Sequence, residues 1–157
     1  MQKIVTNLWF DGRLEEALAF YERVFPEFNL TGKIYYGDEN PEKKGQAVTA
    51  TFELFGQAFT IINGGPGFPQ TEAVSLQVNC ADQAEVDHYW EKLSDGGQES
   101  QCGWLKDPFG VSWQVIPARM DELLMDKDPE KSQRVMNAML KMTKIDLAIL
   151  EAAYNGE

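Results

Sequence analysis

The chain has 157 residues, 43% of them hydrophobic and 25% charged, which suits one folded domain or a domain with a tail and argues against global disorder. Its 14 basic and 25 acidic residues give a formal net charge of -11, so it should repel phosphate backbones, bind no nucleic acid and attract cationic small molecules. No apolar run approaches the ~20 residues that cross a bilayer, and the start Met1-Gln2-Lys3-Ile4-Val5-Thr6-Asn7 turns polar too early for a signal peptide. No membrane partner and a cytoplasmic location are therefore expected.

The first elements are a strand at Leu8-Trp9-Phe10 and a helix whose apolar positions are Leu14, Ala17, Leu18, Tyr21, Val24 and Phe25, at helical spacing. Strands follow at 30–36 and 47–54, and Phe55-Gly56 is a tight turn into a further strand over 57–62. The stretch Gly64-Gly65-Pro66-Gly67 reads as a linker. Beyond it, Val74, Leu76 and Val78 alternate with Ser75, Gln77 and Asn79 in a half-buried strand. Asp82 and Glu85 then form a capping pair ahead of Val86, Tyr89, Trp90 and Leu93, and Gly96-Gly97 ends that helix. One or two short strands fit 98–106, and Phe109-Gly110 leads into a last strand over 111–116.

These elements repeat. Sliding the first unit along the chain places Leu8 on Leu76, Phe10 on Val78, Leu18 on Val86, Tyr21 on Tyr89 and Phe25 on Leu93. The back halves align Phe55-Gly56 with Phe109-Gly110, and the first copy is longer by a polar loop at 37–45. Each half thus reads strand, helix, three strands. From Arg119 the pattern is helical. Asp128-Pro129 resembles an N-cap with proline at the first helical position, and Thr143-x-x-Asp146 resembles a capping box. Val135, Met136, Met139, Leu140 and Met142 form an apolar stripe that either covers the protein's own sheet or docks a second subunit.

Two such units in tandem resemble the vicinal oxygen chelate superfamily of glyoxalases, extradiol dioxygenases and bleomycin-resistance proteins. The detail is similar to its PhnB-like branch, labelled 3-demethylubiquinone-9 3-methyltransferase-like. The residues that carry this are Leu8-Trp9-Phe10-Asp11-Gly12, Glu16-Ala17-Leu18-Ala19-Phe20-Tyr21, and the run from Gly103 to Gln114 with its pattern Trp-x-x-Asp-x-Phe-Gly-x-x-Trp-Gln. The resemblance implies an α+β, glyoxalase-like fold. Two βαβββ units, 1–63 and 72–117, would form a cup-shaped mixed sheet over 1–117, followed by a helical extension over 118–157. It also implies a homodimer.

The superfamily's enzymes hold a divalent metal with side chains from the first and last strand of each unit. Those positions fall near Val5, Thr60, Ala73 and Gln114, where His, Glu or Gln is expected; Gln114 alone qualifies, and a neutral amide by itself cannot hold a catalytic metal. No metal is expected, and no other cofactor. The glycines at 64–67 precede no amphipathic helix, which argues against a nucleotide-type methyl donor. Cys80 and Cys102 read as small reduced residues rather than a disulfide framework. The one histidine, His88, lies on a helix with no acidic partner at ligand spacing.

The sheet faces away from the helices offer Asn7, Trp9 and Thr60, joined by Glu53, from the first unit, and Gln77, Trp104 and Gln114 from the second. Trp9, Trp104 and Trp113 would be ligand walls, with core packing as the alternative reading, and Gln114 would orient a ligand. Aromatic and neutral polar groups together suit a small aromatic or cationic-aromatic molecule. The expected function is metal-free binding of such a molecule. The alternative is an enzyme of the superfamily, an isomerase, lyase, dioxygenase or methyltransferase-like protein, acting through Asp107, Glu53 or a cysteine.

Overall fold

Leu8 and Phe10 alternate with polar-facing neighbours, and the run from Leu14 repeats its apolar residues at helical spacing. The computed structural model describes residues 2–157 and realises these patterns as β1 (Thr6–Phe10) and α1 (Leu14–Val24). All six expected apolar positions from Leu14 to Phe25 are buried. The helix stops where it must: Pro26 disfavours helical geometry at the residue before it, and Phe25 is extended.

Three strands complete this unit, β2 (Phe28–Tyr35), β3 (Ala47–Leu54) and β4 (Gln57–Asn63). Their order is β1-β4-β3-β2, with β1 parallel to β4 and the other pairs antiparallel. Phe55 and Gly56 both take positive φ, the geometry that a two-residue hairpin matching strand twist requires. Phe52 sits at the centre of the core, stacked on Tyr21, Phe28 and Phe59.

The second unit repeats this topology with β5 (Leu76–Cys80), α2 (Gln83–Ser94), β6 (Gln98–Glu99), β7 (Trp104–Lys106) and β8 (Ser112–Pro117), in the order β5-β8-β7-β6. Asp82 caps α2 by accepting from the Glu85 amide at 2.9 Å, and the Glu85 carboxylate accepts from the Ala81 amide at 2.7 Å. The repeated Phe-Gly is not built alike. Between β7 and β8 the turn is longer and is held by Asp107, which is 3% exposed. Its carboxylate accepts from the amides of Phe109 and Val111 and from the Trp113 indole.

The chain divides into two compact units, one ending at Gln70 and the other spanning Thr71–Glu157. The C-terminal helices α3 (Ala118–Leu124), α4 (Pro129–Met139) and α5 (Leu147–Asn155) belong to the second. Met120, Leu123, Val135, Met142, Ile145 and Leu150 pack around Ile116 of β8. The Gln83 amide of α2 donates to the Ile145 carbonyl and accepts from the Leu147 amide, which clamps the tail to the second helix.

Asp128 caps α4 as expected, accepting from the Glu130 amide. Thr143 does not cap α5. That role falls to Asp146, whose carboxylate accepts from the Ile149 amide, because residues 142–143 are engaged elsewhere. The Met142 and Thr143 carbonyls accept from the Cys102 and Gly103 amides, both at 2.8 Å. Gly103 has φ of +82°, and a Cβ there would lie 2.9 Å from the Val115 carbonyl oxygen, so no larger residue fits. The methionine stripe is divided: Met142 is buried, while Met136 and Leu140 are exposed. Among the described residues no helix is long and apolar enough to cross a membrane.

Replacing Asp107 by alanine would leave three buried or half-buried donors without their acceptor. The variant should lose about 3 kcal/mol of stability or more, at ~1–3 kcal/mol for a buried group left unpaired. Asp107→Asn, which keeps one acceptor oxygen, should lose less. Urea denaturation of the two variants checks the order.

Candidate functional site

In each unit the helix covers one face of the sheet and leaves the other to polar and aromatic side chains. On β1, Leu8 and Phe10 are buried while Asn7 is exposed and Trp9 half-buried. The strand register aligns Asn7 with Thr60 on β4 and Thr60 with Thr51 on β3. A second row on the same face runs through Trp9, Ile62 and Thr49. Glu53 lies on this face beside Ala58, where its carboxylate accepts from the Asn29 amide side chain. The first four candidate residues therefore share one sheet face. Thr51, which was not singled out from the sequence, lies between Thr60 and the edge strand and bonds Thr31 through its hydroxyl at 2.9 Å. The alternation Thr49, Thr51, Glu53 was its visible signal.

Trp9 is engaged by the linker. Its indole donates to the Gly65 carbonyl at 2.8 Å, and its ring meets Phe68 edge to face at 4.9 Å. Gln70 donates through its side chain to the Trp9 carbonyl. A Cβ on Gly64 would stand 2.1 Å from the indole ring, so the absence of a side chain is what lets the linker close over Trp9. The Gly64 and Gly65 amides both donate to the Phe10 carbonyl. Those amides are therefore spent on the end of β1, and no helix follows the linker before β5. The loop does not fit a methyl-donor nucleotide.

The second unit brings its three candidates into one row: Gln77 on β5, Gln114 on β8 and Trp104 on β7 are register partners. Gln114 donates to the Ser75 hydroxyl at 2.9 Å, and Gln77 to the Asn79 side-chain carbonyl at 2.7 Å. Each bond uses one amide hydrogen, and the Gln114 side-chain carbonyl has no partner among the described residues. Beside Trp104 lies a hollow of about 420 Å³ whose lining includes Glu72, Cys102, Lys106 and Ser112. Lys106 pairs with Glu72 at 2.6 Å, and that hydrogen bond holds the Glu72 carboxyl below its ordinary range.

The positions at which the resemblance implies a metal, near Val5, Thr60, Ala73 and Gln114, carry unsuitable donors. Val5 and Ala73 have none, and Thr60 and Gln114 offer a neutral hydroxyl and amide. A divalent ion needs imidazole, thiolate or carboxylate partners, so these residues do not fit one. Among the described residues no three His, Cys, Asp or Glu side chains converge on a point. The candidate acid–base and nucleophilic groups are differently placed. Asp107 is buried and its carboxylate is used by the β7–β8 turn. His88 is exposed on α2, edge to face with Tyr89. Cys80 is buried, and burial together with the nearby Glu85 and Asp82 carboxylates pushes its thiol up to about 12. Cys102 is half-buried at the hollow.

Residues 2–116 match the sequence model of the 3-demethylubiquinone-9 3-methyltransferase family. A PhnB protein of Bacillus cereus is 36% identical, covering 74% of this chain and 100% of its own, with a TM-score of 0.68. A protein of Pseudomonas aeruginosa is 24% identical over 74% of this chain and 98% of its own, with a TM-score of 0.64. The genomically encoded fosfomycin resistance protein of Listeria monocytogenes, crystallised at pH 6.5, is similar in fold, with 16% identity, 80% and 98% coverage and a TM-score of 0.56. None of the curated proteins matches the chain.

The raised Cys80 thiol has a consequence for stability. The folded state keeps its proton up to about pH 12, whereas an unfolded cysteine loses it near pH ~8.5. Between these values unfolding releases a proton, so stability contributed by this group is full below pH ~8.5 and falls as pH rises. Urea denaturation at pH 7 to 10 should show wild type losing stability more steeply than Cys80→Ala above pH ~8.5. Parallel curves would contradict the assignment.

Proposed function

The chain belongs to the PhnB-like 3-demethylubiquinone-9 3-methyltransferase family of the glyoxalase and bleomycin-resistance superfamily, and on that premise we propose that it binds a small aromatic or cationic-aromatic molecule without a metal. The observation that carries this reading is the row Gln77–Gln114–Trp104. An aromatic ring beside a free amide carbonyl suits a flat ligand that bears a hydrogen-bond donor. Stacking and cation–π contact with the indole each contribute about 0.5–2 kcal/mol. The net charge of -11 adds a long-range attraction for cations that salt weakens. The first unit's own open face carries groups of the same kind, Asn7, Thr60 and Glu53 with the face of the Trp9 ring, whose indole hydrogen is taken by Gly65. Binding is favoured over catalysis because the Asp107 carboxylate and the Cys80 thiol, two groups that acid–base or nucleophilic chemistry would call on, are committed to structure.

A thermal-shift screen of matched cationic, neutral and anionic aromatics at low and high salt tests this. Cationic or neutral compounds should stabilise the protein most, and the cationic preference should shrink with salt. Titration of the best compound should show Gln114→Ala binding about tenfold more weakly, the factor that 1.4 kcal/mol gives. A panel led by anions, or an unchanged affinity in Gln114→Ala, would sink the reading.

Self-association is proposed as well. Met136 on α4 and Leu140 at its C-cap remain exposed beside a packed tail, and a two-fold contact would use the same patch on both copies. Light scattering at micromolar concentration should give twice the monomer mass, and Met136→Asp with Leu140→Asp should halve it. A monomeric wild type would refute the dimer.

A further inference from the structure

Trp9 stands on the open face of the first sheet in a row with Ile62 and Thr49, and a second aromatic ring already lies against it. Phe68 meets the indole edge to face, with ring centroids 4.9 Å apart. Yet Phe68 is 67% exposed, so its ring gains little by burial. The segment that carries it is pinned to β1 at both ends and free between them. At one end the Gly64 and Gly65 amides donate to the Phe10 carbonyl, and the Gly65 carbonyl accepts from the indole. At the other the Gln70 side chain donates to the Trp9 carbonyl at 2.6 Å. Among the described residues none of 66–69 makes a hydrogen bond. Gly65 has φ of +91°, and a Cβ on Gly67 would meet nothing within 4 Å, so the arch has a permissive residue at its base and room at its middle.

We propose that the place Phe68 takes on Trp9 is the seat of a ligand's aromatic ring, of phenyl size, and that the arch 66–69 swings off to admit it. Phe68 is then a resting occupant that shields the indole from water until a ligand arrives. A ligand ring replaces one edge-to-face or offset contact by another, so the indole is never left bare. The anchors at Gly65 and Gln70 stay in place during the exchange, and the indole keeps its hydrogen bond. A ligand that binds the open form alone has its affinity lowered by the fraction of time the arch is open, and removing the Phe68 ring lifts that penalty. The inference rests on the ligand-binding role proposed above and adds to it a ring subsite on the first unit, with its own gate.

Benzylamine is the probe, with cyclohexylmethylamine as a control of the same charge that lacks the aromatic ring. Two readouts are followed: calorimetry for binding anywhere, and the fluorine resonance of a Phe68→4-fluorophenylalanine protein for the arch itself. Benzylamine should move that resonance toward its position in the urea-unfolded chain, and cyclohexylmethylamine should leave it in place. Phe68→Ala should bind benzylamine about fivefold more tightly than wild type, the factor given by an arch that is closed about four-fifths of the time. The same variant should lose at most about 4 °C in melting temperature, as a largely exposed ring is all that is removed. A larger fall would make Phe68 part of the core and overturn its role as an occupant. The gate is also overturned if Phe68→Ala binds no more tightly than wild type. The seat is overturned, with the wider binding role intact, if calorimetry reports benzylamine binding while the fluorine resonance stays, or if cyclohexylmethylamine moves it as far. If benzylamine binds neither protein the seat falls, and the wider role falls with it only when no other aromatic of the thermal-shift screen binds.

Discussion

A buried carboxylate organises the second half of the molecule. Asp107 gathers two backbone amides of its own turn and the indole of Trp113 from the next strand. A charged group can be buried there because it is met by several donors at once. This bonding sets the length of the β7–β8 turn. The turn in its turn aligns Trp104 with Gln114 and Lys106 with Ser112. The polar row, the hollow beside it and the position of the tail against Ile116 all inherit that register. The corresponding turn in the first unit needs no such group, because Phe55 and Gly56 close it with two positive φ values.

Both sheets present the same kind of chemistry on their open faces. Threonine hydroxyls and amides dominate, and of the charged groups there Lys106 pairs with Glu72 while the Glu53 carboxylate accepts from Asn29. Such a surface recognises shape and hydrogen-bond pattern more than charge. The strand scaffold resembles that of the fosfomycin resistance protein, while the positions near Val5, Thr60, Ala73 and Gln114 present donors that do not fit a divalent ion.

Local signals were the ones that could be read from sequence. Asp82 with Glu85, Asp128 with Pro129, and Phe55 with Gly56 each act within a few residues, and each forms as its pattern requires. Alternation likewise placed Asn7, Trp9 and Thr60 on the open face of the first sheet and Gln77 and Gln114 on that of the second. What the chain does not spell out is the partner across space. The Thr143 capping pattern is locally sound, yet its backbone is drawn to Cys102 and Gly103. Asp107 could be read as an acid–base group because the Trp113 indole reaches it only through the hairpin register. The commitment of Trp9 to Gly65 and of Gln114 to Ser75, and the isolation of the Ser112 hydroxyl, depend on the same long-range placement.

The contact between Trp9 and the linker binds the histories of two distant stretches of sequence. The indole fills the volume that a side chain at position 64 would need, and its hydrogen is received by the residue after it. Drift at position 64 alone meets a ring already in place, and loss of the ring alone leaves a carbonyl without its donor and a hole under the linker. Descendants of this chain can therefore vary these sites together far more readily than one at a time. Glycine with tryptophan should persist as a unit, or be exchanged as one for a bulkier linker residue over a smaller strand residue.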